Sequence, residues 1–384
     1  MRILNVNSTL SLKTGGGTAE RTFQMSHHLA MRGVNTTVLT LDIELNESRK
    51  QAVAPAKVVS LPCLYKRFYI PLGGWCVIRK LVKEADVIHL MGHWPILNLL
   101  VYVAARFAKK PYVVCPAGGL PLFGRSGLLK RLYNSLVGNS IIKNASAWIA
   151  VTEGEFPHFE RYGIASSQVK VIPNGVNEQD FPIAEKSGFL ARFGLPDAPF
   201  ILFMGRLNTI KGPDILLRAY INSQASIPRH HLVFAGPDGG MLNGLIQEVV
   251  EAGLSDYVHF IGYVSGDDKL AAYQHAHLLV VPSRQEAMSI VALEAGVCGT
   301  PVLLTDQCGF SEVQQVDPRM EVPATIVGVT SGLINLLTDD IVLNHIAPVW
   351  RNFVLQRYSW DKIVEDYIYI YDKIIPNPSA RRVS

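Results

Sequence analysis

The stretch Leu278-Leu-Val-Val-Pro282-Ser-Arg-Gln-Glu286-Ala-Met-Ser-Ile-Val-Ala-Leu-Glu294-Ala-Gly-Val-Cys-Gly299-Thr-Pro301-Val-Leu-Leu-Thr305 contains a whole strand–helix–strand unit. Leu278–Pro282 and Pro301–Thr305 are short apolar runs, rich in Val and Leu. A helix is predicted to open near Met288 or Ser289 and to end at Gly299, with Pro301 enforcing the stop. Continuous apolar strands on either side of a helix mark a parallel sheet covered on both faces. The free N–H groups of the first turn, at Ser289, Ile290 and Val291, form an anion site supported by the helix dipole. Glu286 falls in the loop before that turn, and Glu294 lies one to two turns inside.

The same alternation runs outward in both directions. Strands are expected at Arg2–Asn7, Thr36–Asp42, Val58–Leu61, Asp86–Leu90, Tyr112–Cys115, Trp148–Thr152 and Val169–Ile172. A second set follows at Phe200–Met204, His231–Ala235, Val258–Ile261, Leu278–Pro282 and Pro301–Thr305. Each set reads as its own doubly wound α/β domain, with the join near Pro173-Asn174-Gly175. The expected organisation is a first domain over 1–178 and a second over 179–360. A C-terminal helix from Trp360 to Ile375, assigned to 361–376, crosses back to the first domain. Pro376-Asn377-Pro378 stops it, and the tail 377–384, with Arg381 and Arg382, is expected to be unordered. Two such domains place the carboxyl ends of both sheets on a shared cleft, where ligand chemistry is expected.

Composition fits this reading. The chain has 384 residues, 48% hydrophobic and 18% charged, with a net charge of +4. That excludes a disordered chain, a collagen and a coiled coil. Pro95–Ala108, the most apolar helical stretch, is shorter than the roughly 20 residues a bilayer demands. The start reads as a first strand, not a signal peptide. Five cysteines without a CxxC pair point to neither a disulfide framework nor zinc. A cytosolic setting is therefore expected. Residues 1–180 carry 21 Lys and Arg against 11 Asp and Glu, whereas 181–384 carry 15 against 21. A basic first half implies an anionic partner there.

Three further segments bear chemistry. Gly205-Arg206-Leu-Asn-Thr-Ile-Lys211-Gly212 follows a strand and opens a helix at Pro213; a planar cation and a mobile one together suit a diphosphate. Thr14-Gly15-Gly16-Gly17-Thr18 reads as a loop before a helix Ala19–Met31, with Thr18 as its cap. Glu20 stands where a dinucleotide fingerprint requires its third glycine, so NAD binding is not indicated. Basic residues interleave with Leu, Phe and Tyr in Tyr65-Lys66-Arg67-Phe68-Tyr69 and in Arg125 to Tyr133, a pattern that suits an anionic membrane surface. Glu286 and Glu294 do not form a glycosidase pair. Eight helical residues rise about 12 Å, and one segment rarely flanks both sides of a scissile bond.

Taken together, Glu286-x7-Glu294, Gly205-Arg206-x4-Lys211-Gly212, the Gly15–Gly17 loop and Val171-Ile-Pro-Asn174-Gly175 resemble the retaining GT-B glycosyltransferases of family four. Asp86-Val-Ile-His89 and Pro111-Tyr-Val-Val-Cys-Pro116 fit that family's first domain. The resemblance spans roughly residues 2–375. It implies two Rossmann-like domains and a nucleotide-diphosphate sugar, UDP- or GDP-linked, as donor, with neither cofactor nor metal. Arg206 and Lys211 would bind and stabilise the departing diphosphate, and Glu286 would position the donor sugar. Ser289, Ile290 and Val291 would line sugar and phosphate, and Glu294 would accept from the ribose hydroxyls. Gly205 belongs to the same loop, Gly262, Tyr263 and Val264 fall where the base is held, and Gly16 and Gly17 would close over the donor. His93, Trp94 and Gly118 are the acceptor-side candidates. Where related sequences carry His or Arg, this chain has Ala117.

The reading is a retaining hexosyltransferase that builds a lipid-linked or cell-surface polysaccharide precursor. It would be cytoplasmic, peripheral at the inner face of the membrane, and without a nucleic-acid partner. A nucleotide-sugar epimerase of the same architecture and a non-catalytic nucleotide-sugar binder are the rivals.

Overall fold

The computed structural model describes residues 1–121 and 127–375. Arg125, Ser126 and the tail from Pro376 onward, which carry part of the expectations above, lie outside the described residues. The chain divides into two compact units, Met1–Gly175 with the C-terminal segment from Trp360, and Val176–Ser359. The two crossings lie side by side: Val176 pairs with Ser359 as an isolated bridge, and the Val176 N–H donates to the Tyr358 carbonyl at 2.8 Å. The first crossing thus falls three residues before the expected one.

The first unit is built on β1 (Arg2–Val6), β2 (Asn35–Leu41), β3 (Lys57–Leu61), a small antiparallel pair β4 (Cys63–Tyr65) and β5 (Ile70–Pro71), β6 (Val87–Met91), β7 (Tyr112–Cys115), β8 (Ala147–Ala150) and β9 (Val169–Val171). Seven of these form one parallel sheet in the order β3-β2-β1-β6-β7-β8-β9. Strands such as Val87–Met91 and Tyr112–Cys115 are buried at every position, because helices cover both faces. The pair β4–β5 was not expected from sequence; the Tyr65–Tyr69 segment forms its tip.

The second unit comprises β10 (Phe200–Met204), β11 (His231–Ala235), β12 (Val258–Gly262), β13 (Leu278–Val281), β14 (Val302–Thr305) and β15 (Glu321–Val322). They form a second all-parallel sheet, β12-β11-β10-β13-β14-β15. Both sheets therefore reverse their strand order once, between β1 and β6 and between β10 and β13. That reversal opens a crevice at the carboxyl ends, which is where open α/β sheets bind ligands. β15 escaped the sequence reading because two residues are too few to show a period.

Two local corrections bear on the site. The helix expected from Ala19 starts at Leu12 and runs to Met31, with a break at Gly16, whose φ of 53° and ψ of −138° interrupt the helix. Thr18 is not an N-cap: its hydroxyl donates to the Gly15 carbonyl at 3.0 Å, because the preceding turn already supplies helical backbone. The C-terminal helix, Trp360–Ile374, packs in the first unit against Leu12–Met31. Arg21 ties it there. This fully buried guanidinium donates to the carbonyls of Ile172 and Pro173, the side chain of Asn174 and the Tyr367 hydroxyl.

Candidate active site

The reversal point of the second sheet carries the glycine-and-cation loop after β10 and the glutamate segment after β13. Gly212 ends the first loop at φ +67°, and a Cβ there would lie 2.1 Å from the Pro282 carbonyl oxygen. Only glycine permits that approach, so the loop packs directly on the end of β13. Arg284 fastens the same junction. Its N–H donates to the Ile210 carbonyl at 2.8 Å, and its guanidinium reaches both Asp214 oxygens at 2.8 and 2.6 Å. The Asp214 carboxyl is held below its ordinary value: burial opposes this, but the hydrogen bonds and charge of Arg284 outweigh it.

Within this frame Lys211 meets Glu286, with Nζ 2.8 Å from Oε1. The Glu286 carboxylate also accepts from the Ser283 hydroxyl, and its backbone N–H donates to the Gln307 carbonyl at 2.8 Å. Its side chain is 8% exposed, so the pair is shielded from bulk water on the glutamate side. The helix that follows runs Ile290–Val297 with Ser289 as N-cap. The Ser289 side chain does not cap it, and its buried hydroxyl has no hydrogen-bond partner. The first-turn N–H groups, which have no carbonyl of their own helix to bond, are left for a ligand. The helix ends at Val297 with Gly299 at φ +80°, as the sequence predicts.

Glu294, one turn further in, is buried with both oxygens engaged: Oε1 accepts from Lys269 Nζ and Oε2 from the Tyr273 hydroxyl, each at 2.7 Å. Burial, together with the neighbouring Glu294 charge, pushes the Tyr273 hydroxyl well above its ordinary value, so it stays a donor. On the other flank the loops after β10, β11 and β12 are knitted together. The Gly205 N–H donates to the Ala235 carbonyl at 2.9 Å, and Gly236 N–H to the Gly262 carbonyl at 2.7 Å. A Cβ on Gly236 would lie 1.8 Å from the Gly205 oxygen. Beyond Gly262, Tyr263 is exposed and Val264 is buried. Arg206 is exposed on the same loop as Gly205. The structure therefore joins Lys211 to Glu286 directly, and links Gly205 to Gly262 through Ala235 and Gly236. Ser289, Ile290, Val291 and Glu294 share one helix start.

In the first unit, Gly16 and Gly17 sit at the helix break after β1. His93 and Trp94 follow β6, and Gly118 follows β7. His93 is buried and does not present an open wall: Trp94, Tyr133 and Tyr162 meet its ring edge-on. Its Nε2 pairs with Asn134 Oδ1 at 2.8 Å, and burial lowers its pKa to about 4. Trp94 donates to the Gly119 carbonyl. The loop between is strained, with Ala117 at φ +48° and Gly118 at +77°. Glu155 holds it there, one buried oxygen accepting from Gly118 N–H and the other from Val151 N–H, each at 2.7 Å. Among the described residues no three His, Cys, Asp or Glu side chains converge as a metal-ligand set.

Sequence reading missed Ser283, Arg284, Asp214, Lys269, Tyr273, Gly236 and Glu155. Apart from Ser283, three residues before its partner Glu286, each pairs with a residue distant in sequence, 70 residues apart in the case of Arg284 and Asp214. Only Gly236-Pro237-Asp238-Gly239 left a signal, as a turn after a strand.

Comparison with known proteins accords with this geometry. The Anabaena protein HepE, solved with UDP and glucose, superposes with a TM-score of 0.78 at 19% identity, covering 97% of this chain and 100% of that one. WaaG, a glycosyltransferase involved in lipopolysaccharide biosynthesis, gives 0.68 at 17% identity over 98% and 100%. Two Rossmann-like parallel-sheet domains of this kind define the GT-B fold. In sequence, the D-inositol 3-phosphate glycosyltransferase of Salinispora arenicola is 25% identical over 377 residues, 87% of this chain and 84% of that protein. An uncharacterized glycosyltransferase of Methanocaldococcus jannaschii is 33% identical over 219 residues, 55% of each. The description "Glycosyltransferase Family 4" matches residues 15–180, and "Glycosyl transferases group 1" matches residues 191–316. The chain belongs to the group 1 glycosyltransferases of the family four type. These relatives are glycosyltransferases and not epimerases, which leaves the epimerase rival without support.

Proposed function

We propose that the chain transfers a sugar, with retention and without a metal, from a nucleotide-diphosphate sugar to a hydroxyl of a glycan acceptor. The observation that carries this reading is the Lys211–Glu286 pair beside the open N-terminus of helix Ile290–Val297. A glycosyl–diphosphate bond breaks through charge separation. Fixed cations and unbonded N–H groups aimed at the leaving phosphate lower that barrier without rearranging. Lys211 and Arg206 stabilise the departing diphosphate, and Glu286 orients the sugar while holding Lys211 in place. Glu294, pinned by Lys269 and Tyr273, presents its remaining lone pairs to the ribose. Trp94 and the Gly118 loop face the acceptor. UDP is the favoured nucleotide, supported by its presence in HepE.

Retention follows if the departing phosphate takes the acceptor's proton on the leaving-group face. The acceptor is a lipid-linked or cell-surface polysaccharide precursor, and the enzyme works in the cytoplasm at the inner membrane face. The basic first unit supports that setting.

The test is thermal stabilisation by UDP, GDP, ADP and CMP on the wild type and on Arg206→Ala. A ligand that binds only the folded state raises its stability by RT ln(1 + [L]/Kd). UDP is expected to raise the melting temperature of the wild type and to lose most of that effect in the variant. No shift with any nucleotide would overturn the donor assignment. The anomeric configuration of the product, read by NMR, decides retention.

A further inference from the structure

The charge asymmetry is sharpest in the middle of the first unit. Residues 48–152 carry 15 Lys and Arg against two acids, Glu84 and Asp86. Within that stretch the helices Trp75–Glu84 and Ile96–Ala108 pack together and leave a groove of about 460 Å³. Trp75, Arg79, Lys83, Ala104, Phe107 and Ala108 line it. Trp75, Arg79 and Lys83 recur at four-residue spacing, so they share one helix face. Phe107 is 83% exposed, an unusual position for a phenylalanine, and Leu72 just before the groove is 57% exposed. The groove is not the site described above. Phe107 stands about 16 Å along its helix from the end beside His93 and Trp94.

We propose that this groove docks the phosphate-bearing headgroup of an anionic phospholipid in a membrane surface. Arg79 and Lys83 supply two adjacent cations for one phosphate, with no acid on the lining to compete. Trp75 and Phe107 flank them with rings that suit the headgroup level of a bilayer. A free anion would use the cations and leave Phe107 and Leu72 in water. A membrane covers both, and that complementarity of charge and apolar surface selects it. The inference deepens the membrane part of the proposed function and rests on that reading for its purpose, though its test uses no sugar transfer.

The test is flotation of the full chain with vesicles of phosphatidylcholine alone and of three-to-one phosphatidylcholine–phosphatidylglycerol. The wild type is expected to float only with the anionic vesicles. Arg79→Glu/Lys83→Glu is expected to weaken that binding by at least about tenfold, the size set by removing and reversing two near-surface charges. Trp75→Ala/Phe107→Ala, which leaves charge unchanged, should weaken it several-fold. Lys143→Glu/Lys170→Glu, an equal charge change elsewhere on the same unit, should stay within twofold. Equal loss in that control would overturn the groove in favour of diffuse charge. Full binding by Trp75→Ala/Phe107→Ala, with displacement of the vesicles by inorganic phosphate, would overturn it in favour of a free-anion site. Preference for a single-stranded oligonucleotide over vesicles, lost in the Arg79/Lys83 variant, would overturn it in favour of nucleic acid. Unchanged melting temperatures show that the variants fold, and Arg79→Gln/Lys83→Gln serves if the glutamates do not. Nucleotide stabilisation is read in parallel, so failure of the donor assignment and failure of the groove are separate results.

Discussion

Lys211 and Glu286 hold one another, so each residue's role extends through its partner. Lys211→Ala removes the proposed leaving-group cation and at the same time leaves a shielded carboxylate without its ion pair. Turnover of a UDP-sugar is expected to fall by about 10²-fold or more, as for loss of one preorganised stabiliser. Arg206→Ala should lower turnover to a similar extent. Steady-state kinetics checks both, and wild-type turnover in either variant would remove that residue from the mechanism. Backbone conformation gives an opposed pair of expectations. Ala117 stands at φ +48°, where an L side chain is strained, so Ala117→Gly should stabilise the chain by about 1 kcal/mol. Gly212→Ala adds a Cβ 2.1 Å from the Pro282 oxygen at φ +67°. It should destabilise by roughly 2–3 kcal/mol and loosen the two loops that bring Lys211 to Glu286. Urea unfolding midpoints measure both signs, and a stable Gly212→Ala variant would refute the close packing.

At the scale of elements, Glu155 links the end of β8 to the loop after β7. One carboxylate bonds two backbone N–H groups that the sheet itself does not satisfy. Burial raises its pKa, opposed by those N–H bonds and by Arg21. Glu155→Gln replaces one acceptor oxygen by a donor and forfeits one of the two bonds, worth about 1.5–3 kcal/mol to a charged acceptor. With the Gly118 loop released, KM for the acceptor should rise several-fold while hydrolysis of the donor alone stays unchanged. Equal effects on both would mean a general loss of folding. Such links are the part of the structure that a sequence hides. Apolar runs announced β7, β10 and β11 to the residue, since a strand covered on both faces must be apolar along its whole length. The glutamate helix was announced by Gly299 and Pro301. The Gly15–Gly17 stretch misled, because a glycine run reads as a loop even where only Gly16 leaves the helix. Arg284 with Asp214, and Lys269 with Glu294, were invisible: long-range pairing leaves no period along the chain.

At the scale of the whole molecule, the histidines decide the response to acid. His89 is fully buried, with Nδ1 2.6 Å from the Tyr371 hydroxyl on the C-terminal helix, and burial followed by the Arg21 charge lowers its pKa to about 3. His93 is lowered to about 4 by burial. His28, stacked on Trp360, is lowered to about 4 by burial and then by His27. All three are neutral in the folded first unit but take up a proton near pH 6.5 once unfolded. Between those values the unfolded chain binds more protons, so stability rises with pH across the window. The contribution is complete above about pH 6.5 and is lost as pH falls toward 4, on the order of 3–5 kcal/mol each for His89 and His93. His231, His259, His275 and His277 of the second unit are lowered as well, chiefly by burial, and act with the same sign. The urea midpoint should therefore drop steeply between about pH 7 and pH 5. His89→Gln keeps a hydrogen-bonding group for Tyr371 but cannot titrate, so its slope should be shallower by about one proton. A midpoint flat over that range, or a variant slope equal to the wild type's, would mean that these imidazoles reach water and that the C-terminal helix does not seal the first unit.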